Sequence, residues 1–167
     1  MAILKVEGLT IEFQMEGGIQ PTVTDVSFSL EKGEILALVG ESGCGKSVSC
    51  MAMARLLPEP PARIAAGKVM LQKRDGAVVD VLKLSGRELR KIRGGEIAYI
   101  FQEPSVSLNP VFRVGEQIAE AVSLHRPDVA DPWAEAVKLC AGSGYRSPAT
   151  GFRGTRMSFP AECSRES

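Results

Sequence analysis

Residues 40–47 read Gly40-Glu41-Ser42-Gly43-Cys44-Gly45-Lys46-Ser47 and match the pattern G-x-x-x-x-G-K-[ST], the P-loop, which indicates the fold more strongly than any other segment. Its glycines let successive backbone N–H groups turn inward around phosphate oxygens, at the positive end of the helix that follows. We expect Lys46 to reach the β- and γ-phosphates of a nucleotide and Ser47 to place its hydroxyl on Mg²⁺. The alternative is a glycine-rich turn that has this pattern by chance.

The residues on either side of the motif predict a strand before it and a helix after it. Residues 34–39 are almost continuously apolar, which is typical of a parallel-sheet strand buried on both faces. Residues 46–57 suit a buried helix, which Pro58, Pro60 and Pro61 then end. A P-loop that binds phosphate is preceded by a strand and followed by a helix, and this chain has the same predicted order. A nucleotide site is therefore the favoured interpretation.

The remaining patterns predict further strands around this unit. Short β-branched runs separated by glycine turns predict an antiparallel piece at the start of the chain, at residues 3–6, 9–13 and 22–30. Asp75-Gly76 lies between two apolar runs, 69–72 and 78–82, and this is a hairpin signal. A second strongly apolar strand is expected at 97–101.

Three helices are expected in the second half of the chain. Ser85 with Glu88 three residues later predicts a capping box for a short basic helix that ends near Gly94. Apolar residues at helical spacing predict a helix from 114 to 122, with His125 near its C-terminal end. Asp131 before Pro132 predicts the start of a helix at 133–139, and the period then fails over 141–167.

Composition excludes several classes of protein. The chain has 167 residues, of which 44% are apolar and 24% charged, and its 20 basic and 20 acidic residues cancel. Such a chain has no basic excess for non-specific binding to nucleic acid.

The four cysteines have no C-x-x-C spacing, and reduced thiols in a cytosolic protein are expected. No apolar run reaches the roughly eighteen residues of a membrane span, so we expect membrane association only through a partner.

Over residues 2 to about 139 the chain resembles an ATP-binding-cassette ATPase. Within that superfamily the P-loop and the stretches Phe101-Gln102-Glu103-Pro104, Ser107-Leu108-Asn109-Pro110 and Val114-Gly115-Glu116-Gln117-Ile118 resemble the ATP-binding subunits of dipeptide, oligopeptide and nickel importers. The resemblance implies an α/β fold, a partial P-loop NTPase (RecA-like) core with an N-terminal antiparallel β subdomain and the start of a helical subdomain. The ATPase part would be residues 1–139, with the β subdomain and core to about 102 and a docking loop and helices at 103–139, and 140–167 an aberrant, disordered tail.

The resemblance also assigns roles to residues that the pattern alone leaves open. By itself Phe13 would be a core aromatic and Gln102 a solvated loop residue. By resemblance, Phe13 stacks on adenine. Gln102 and Ser47 would both bind Mg²⁺, and Gln102 would also contact the attacking water. The resemblance therefore implies that Lys46 and Gln102 are the catalytic residues. The implied ATP-binding residues are Phe13, Gly40, Glu41, Ser42, Gly43, Cys44, Gly45, Lys46, Ser47 and Val48.

Partners follow from the same resemblance. The segment after Gln102 would dock on transmembrane permease subunits, at the cytoplasmic face of the cell membrane, and a second ATP-binding subunit would complete a homo- or heterodimer. The transported solute would be chosen by other subunits. The sequence shows no Leu-Ser-Gly-Gly-Gln-type signature, no apolar strand ending in Asp-Glu and no later switch histidine. Since hydrolysis needs such groups, we expect ATP binding to be far better than cleavage.

The tail supports a sharper hypothesis. The coding DNA can be read in a shifted frame, in which each codon consists of the third base of one present codon and the first two bases of the next. In that frame the codons of residues 155–167 can encode Pro-His-Glu-Leu-Ser-Gly-Gly-Met-Gln-Gln-Arg-Val, the signature in its peptide-importer form. In the same frame, residues 140–145 allow Arg-Arg-Val-Gly-Ile, which such importers carry after this helix. We hypothesise that the reading frame slips near Leu139-Cys140.

Two other functions stay open. One is a non-catalytic product, a nucleotide-binding or unstable fragment without a role in transport. The other is a small nucleotide kinase, whose lid arginines and acceptor pocket are not evident in the sequence. Two strands before the P-loop favour a cassette over a kinase.

Overall fold

The computed structural model describes residues 2–101 and 107–143, which fall into two compact units, one up to Ala98 and the other from Tyr99. Within these described ranges, the first unit contains four strands and two α-helices, and the second contains two further helices. The strands are β1 (Ala2–Met15), β2 (Gly18–Glu31), β3 (Ala62–Gln72) and β4 (Val78–Asp80); the helices are α1 (Lys46–Ala52), α2 (Gly86–Ile92), α3 (Val114–His125) and α4 (Pro132–Gly142).

The four strands form one antiparallel sheet in the order β2-β1-β3-β4. The predicted antiparallel piece is confirmed, although three short runs become two long strands. The hairpin at Asp75-Gly76 is also confirmed, with Gly76 at φ +87° in the turn that joins β3 to β4. The first part of β3 was not predicted, because residues 62–68, which include three alanines and a glycine, carry no clear strand period.

Bulges let β1 and β2 continue past residues that would otherwise end them. Gly8 and Asp25 have positive φ angles, +58° and +52°, where the pairing between the two strands shifts. The backbone N–H of Gly8 donates to Ser27 Oγ at 2.8 Å, and that of Asp25 donates to Thr10 Oγ1 at 3.2 Å. At each bulge, therefore, a hydroxyl group from the opposite strand satisfies a backbone donor that the ladder leaves unpaired.

The core of the first unit joins the sheet to the two helices. Val6, Leu9, Ile11 and Val69 are fully buried in β1 and β3. They belong to one hydrophobic cluster with apolar residues of α1, of the turn after it and of α2: Ala52, Leu57, Leu89 and Ile92. Burial of this apolar surface holds α1, which carries the end of the glycine motif, in the same core as the sheet.

Two predicted strands are wrong. Residues 34–39 and 98–101 have no strand structure, and Ile97 makes only an isolated bridge with Arg93. Ile35 is 95% exposed and Ile100 is 97% exposed. A parallel strand forms only where a neighbouring strand accepts its hydrogen bonds, and the described residues contain no strand that pairs with 34–39.

Helix α1 is shorter than predicted. It ends at Ala52 rather than near Leu57, and the chain then turns, with Arg55 at φ +52°. The hydrogen bond from Leu56 N–H to the Met51 carbonyl closes this turn. The helix therefore ends before the prolines at 58, 60 and 61 can act on it.

The predictions for the other helices are confirmed. Ser85 and Glu88 form the capping box of α2, and Asp131 Oδ1 accepts from Ala134 N–H at 3.0 Å at the start of α4. Helix α3 covers the predicted residues and carries His125 in its last turn, whereas α4 continues three residues past Leu139.

No helix in the described part of the chain is long and apolar enough to cross a membrane. Most of the predicted aberrant tail lies outside the described residues, and the predicted domain bounds remain predictions.

Candidate functional site: the glycine loop before α1

The glycine motif forms a loop that leads directly into α1. Gly43 and Gly45 have φ angles of +84° and +88°, the left-handed region that side chains other than glycine rarely adopt. Gly45 is buried against β2, since a Cβ atom on it would lie 2.8 Å from Val23 Cγ2 and 3.1 Å from the carbonyl oxygen of Thr22. Thr22 is itself the extra residue of a bulge between β1 and β2. The loop therefore packs on the sheet where the sheet is irregular.

The ammonium group of Lys46 lies against the backbone of this loop. Its Nζ donates to the carbonyl oxygens of Gly40, at 2.7 Å, and Glu41, at 2.5 Å, and lies 3.3 Å from Cys44 Sγ. These contacts bring one end of the motif to the other and put a positive charge at the start of α1. A phosphate group held by the loop would meet both this charge and the positive end of the helix.

The next residues divide between solvent and core. Ser47 is exposed, so its hydroxyl is accessible, whereas Val48 packs against the core cluster. Ser49 is buried, and its Oγ donates to the Gly45 carbonyl at 2.9 Å. This bond ties the first turn of α1 to the last glycine of the loop.

Cys44 is exposed, and its sulfur lies close to Gly40. A Cβ atom on Gly40 would lie 2.8 Å from Cys44 Sγ, so a larger residue at position 40 would require the Cys44 side chain to turn away. Cys44, Cys50 and Cys140 form no disulfide bonds. Burial raises the pKa of the Cys140 thiol above its ordinary value.

Phe13 lies on β1, the strand that pairs with β2. It is opposite Gln20 and Ala62, is half-buried, and forms part of the wall of a cavity of about 290 Å³. Gly45 packs on Val23, whose partner in β1 is Ile11. Phe13 is two residues farther along β1 than Ile11, and two residues of an extended strand span about 7 Å. The sheet therefore carries the predicted adenine residue and supports the predicted phosphate loop on the same pair of strands.

Magnesium would have few protein ligands at this site. The described residues contain no cluster of three or more His, Cys, Asp or Glu side chains that could hold a metal ion. Mg²⁺ commonly keeps only one or two protein ligands and takes the rest from substrate phosphates and water. The accessible hydroxyl of Ser47 fits that role, whereas Gln102, the second predicted ligand, lies outside the described residues.

Sequence patterns missed two groups that support the site. One is the Thr22–Val23 bulge beneath Gly45, and the other is Arg93, whose guanidinium contacts the backbone just after α1. Neither has a local signal, since both contacts join residues more than twenty positions apart.

The chain resembles proteins of known family in sequence and in fold. A protein-family model for ABC transporters matches residues 23–155. The glutathione import ATP-binding protein GsiA of Salmonella choleraesuis is 46% identical over 138 residues, covering 82% of this chain and 22% of that protein. Its counterpart from Escherichia coli O1:K1 is 48% identical over 124 residues, covering 74% and 20%.

A dimeric ATP-binding cassette in a post-hydrolysis state, bound to ADP and Pi, superimposes with a TM-score of 0.74 at 19% identity, over 94% of this chain and 63% of that one. The fold is thus that of an ABC ATPase cassette, a P-loop NTPase, present here in part. The chain spans about a fifth of the length of the import proteins it matches. The match to the family model covers most of the chain, so this protein belongs to the ABC transporter family.

Proposed function

We propose that this chain is the nucleotide-binding part of an ATP-binding subunit of an ABC importer for peptides or related solutes. The observation that carries the proposal is the loop of residues 40–47, which brings the Lys46 ammonium to the start of α1. The similarity to glutathione import ATP-binding proteins supports the class of solute.

In the proposed complex each part of the site binds one part of MgATP. The ring of Phe13 stacks on adenine, and backbone N–H groups of residues 40–48 surround the β- and γ-phosphates. Lys46 neutralises the phosphate charge, and Ser47 supplies an oxygen ligand to Mg²⁺. Gln102 would complete the metal site and position water.

The proposed partners are permease subunits in the membrane and a second ATP-binding subunit. Val111 and Phe112, in the segment that follows Gln102, are 68% and 56% exposed. Two adjacent exposed apolar side chains can form part of a contact surface, and this supports docking of the segment on a permease at the inner face of the membrane.

A second candidate function is nucleotide binding without transport. The exposed apolar stretch 34–39 supports it, because a cassette whose P-loop strand is unpaired holds its site less firmly. Under this proposal ATP binds but is not cleaved at a useful rate.

The melting temperature of the purified chain tests the nucleotide part of both candidates. If the loop binds MgATP, the ligand stabilises the folded state by mass action, by about 2.7 kcal/mol at a hundredfold excess over Kd. Lys46→Ala should abolish this shift, whereas Lys68→Ala, at an exposed position of β3, should retain it. An equal melting temperature with and without millimolar MgATP would contradict the proposal. Phosphate release that depends on Lys46 would then favour the importer subunit, since the second candidate binds ATP without cleaving it at a useful rate.

A further inference from the structure

The guanidinium group of Arg93 reaches from the end of α2 to the segment just after α1. Its Nε donates to the carbonyl oxygen of Ala54 at 2.9 Å, and its Nη2 donates to the carbonyl oxygen of Arg55. The planar fork of a guanidinium group suits two neighbouring acceptors. One side chain therefore fixes the point at which the chain leaves α1.

Arg55 makes the reciprocal contact. Its Nη1 donates at 2.9 Å to the carbonyl oxygen of Leu84, the residue before the N-cap of α2. The backbone of Arg55 has a φ angle of +52°, which is uncommon outside glycine and requires support from its surroundings. Ala54, Arg55, Leu84 and Arg93, here called the arginine clamp, thus tie the turn after α1 to both ends of α2.

The clamp acts on a short helix whose other end is the phosphate site. Helix α1 has seven residues, about 10 Å of helix, and begins at Lys46. Ser49, Ala52 and Ala54 are buried along it and just after it. Because a close-packed interior transmits displacement rather than absorbing it, a shift at Ala54 is expected to move Lys46 and Ser47.

We propose that Arg93 is a positioning residue for the nucleotide site: through the clamp it holds α1 at the depth where Lys46 and Ser47 meet the phosphates and the metal. This inference rests on the proposed function. Without the guanidinium group, two partly buried carbonyls lose their donors, and the end of α1 is free to move. Small misplacements of groups that contact the ligand are costly, so the loss reaches the site although the contacts of the Arg93 guanidinium are to the turn after α1 and not to the glycine loop.

Two readouts on the full chain test the clamp. The first is the Kd for MgATP by calorimetry at a temperature where circular dichroism shows every variant folded, and the second is hydrogen exchange of the amides of residues 46–56. Arg93→Ala should weaken MgATP binding about tenfold and speed this exchange. Arg93→Lys should recover most of the affinity, because the ammonium can still donate to a carbonyl. Arg90→Ala, which removes an exposed positive charge from α2, should change neither.

The outcomes separate the inference from the proposed function. A folded Arg93→Ala variant with the Kd of the wild type overturns the positioning role. If the amides of residues 46–56 exchange hydrogen at the same rate in this variant as in the wild type, the clamp is overturned. If Arg93→Ala does not fold, Arg93→Gln and Arg55→Ala replace it, and Kd values within about twofold of the wild type in both variants overturn the role. If the wild type itself does not bind MgATP, the proposed function fails together with the positioning role, while exchange still decides whether the clamp holds α1.

Discussion

Gly45 lies so close to Val23 that a Cβ atom on the glycine would be 2.8 Å from Cγ2 of the valine. The same Cβ atom would be 3.1 Å from the Thr22 carbonyl oxygen, which belongs to the backbone and cannot turn away as a side chain can. The phosphate loop is therefore fitted to the bulged edge of β2, and its shape depends on the absence of a side chain at this position.

Gly45→Ala should accordingly destabilise the chain and impair nucleotide binding together. The left-handed conformation alone costs about 1–2 kcal/mol for a residue with a Cβ atom, and the contact with Thr22 adds to this. Thermal unfolding and a MgATP titration measure the two effects. Gly86→Ala is the matched control, because a Cβ atom there would meet nothing within 4 Å. Equal melting temperatures for the Gly45 and Gly86 variants would show that the close approach is not required.

Phe13→Ala should weaken MgATP binding roughly tenfold, since an aromatic stack contributes about 1–3 kcal/mol per base. Phe13→Tyr keeps the ring and should bind as the wild type does. Phe28→Ala is the control for lost packing, because Phe28 is also partly buried against the core but belongs to no part of the site. If the two alanine variants lower the affinity equally, Phe13 acts only through stability.

Ser85→Ala should lower the melting temperature by a few degrees, because it removes both hydrogen bonds of the Ser85 hydroxyl, one donated to Glu88 Oε2 and one accepted from the Glu88 N–H. The hydrogen bond from the Ser85 hydroxyl lowers the pKa of Glu88 below its ordinary value of 4.5, with the Ser85 backbone N–H adding to the effect. A carboxyl group with a lowered folded-state pKa stabilises the fold above 4.5, and this stability is lost as the pH falls through the lowered value. The difference between the variant and the wild type should therefore shrink in acid. A difference that grows below pH 4.5 would contradict this account of the cap.

The sequence predicted correctly those features whose contacts join residues close together along the chain, and it missed those whose contacts join distant positions. The capping box of Ser85 and Glu88 and the hairpin at Asp75-Gly76 are formed by residues a few positions apart, and both were predicted correctly. Residues 34–39 were predicted as a buried strand from their apolar side chains, but a strand needs partners that a local pattern does not contain.

The site shows the same division. Its loop was predicted from eight consecutive residues, and the structure brings Lys46 back to Gly40 across them. The supports of the loop, Val23 beneath Gly45 and Arg93 behind α1, come from distant positions and gave no signal in the sequence. Phe13 was assigned only through a family resemblance, and its role remains a proposal.

The frame-slip hypothesis makes a prediction about the coding DNA. The base triplets that bridge neighbouring codons from Thr155 to Ser167 should spell the Leu-Ser-Gly-Gly-Met-Gln signature. Those from Cys140 to Tyr145 should spell Arg-Arg-Val-Gly-Ile. Any other triplets at these junctions exclude the hypothesis.

The most direct test of the central claim is a calorimetric titration of the folded wild-type chain and of Lys46→Ala with MgATP. The account predicts saturable binding at one site in the wild type and a loss of at least about tenfold in affinity when the ammonium group is removed. Binding of equal strength by both chains, or no binding by a wild type whose fold is intact, would contradict the claim that the loop at residues 40–47 holds nucleotide phosphates.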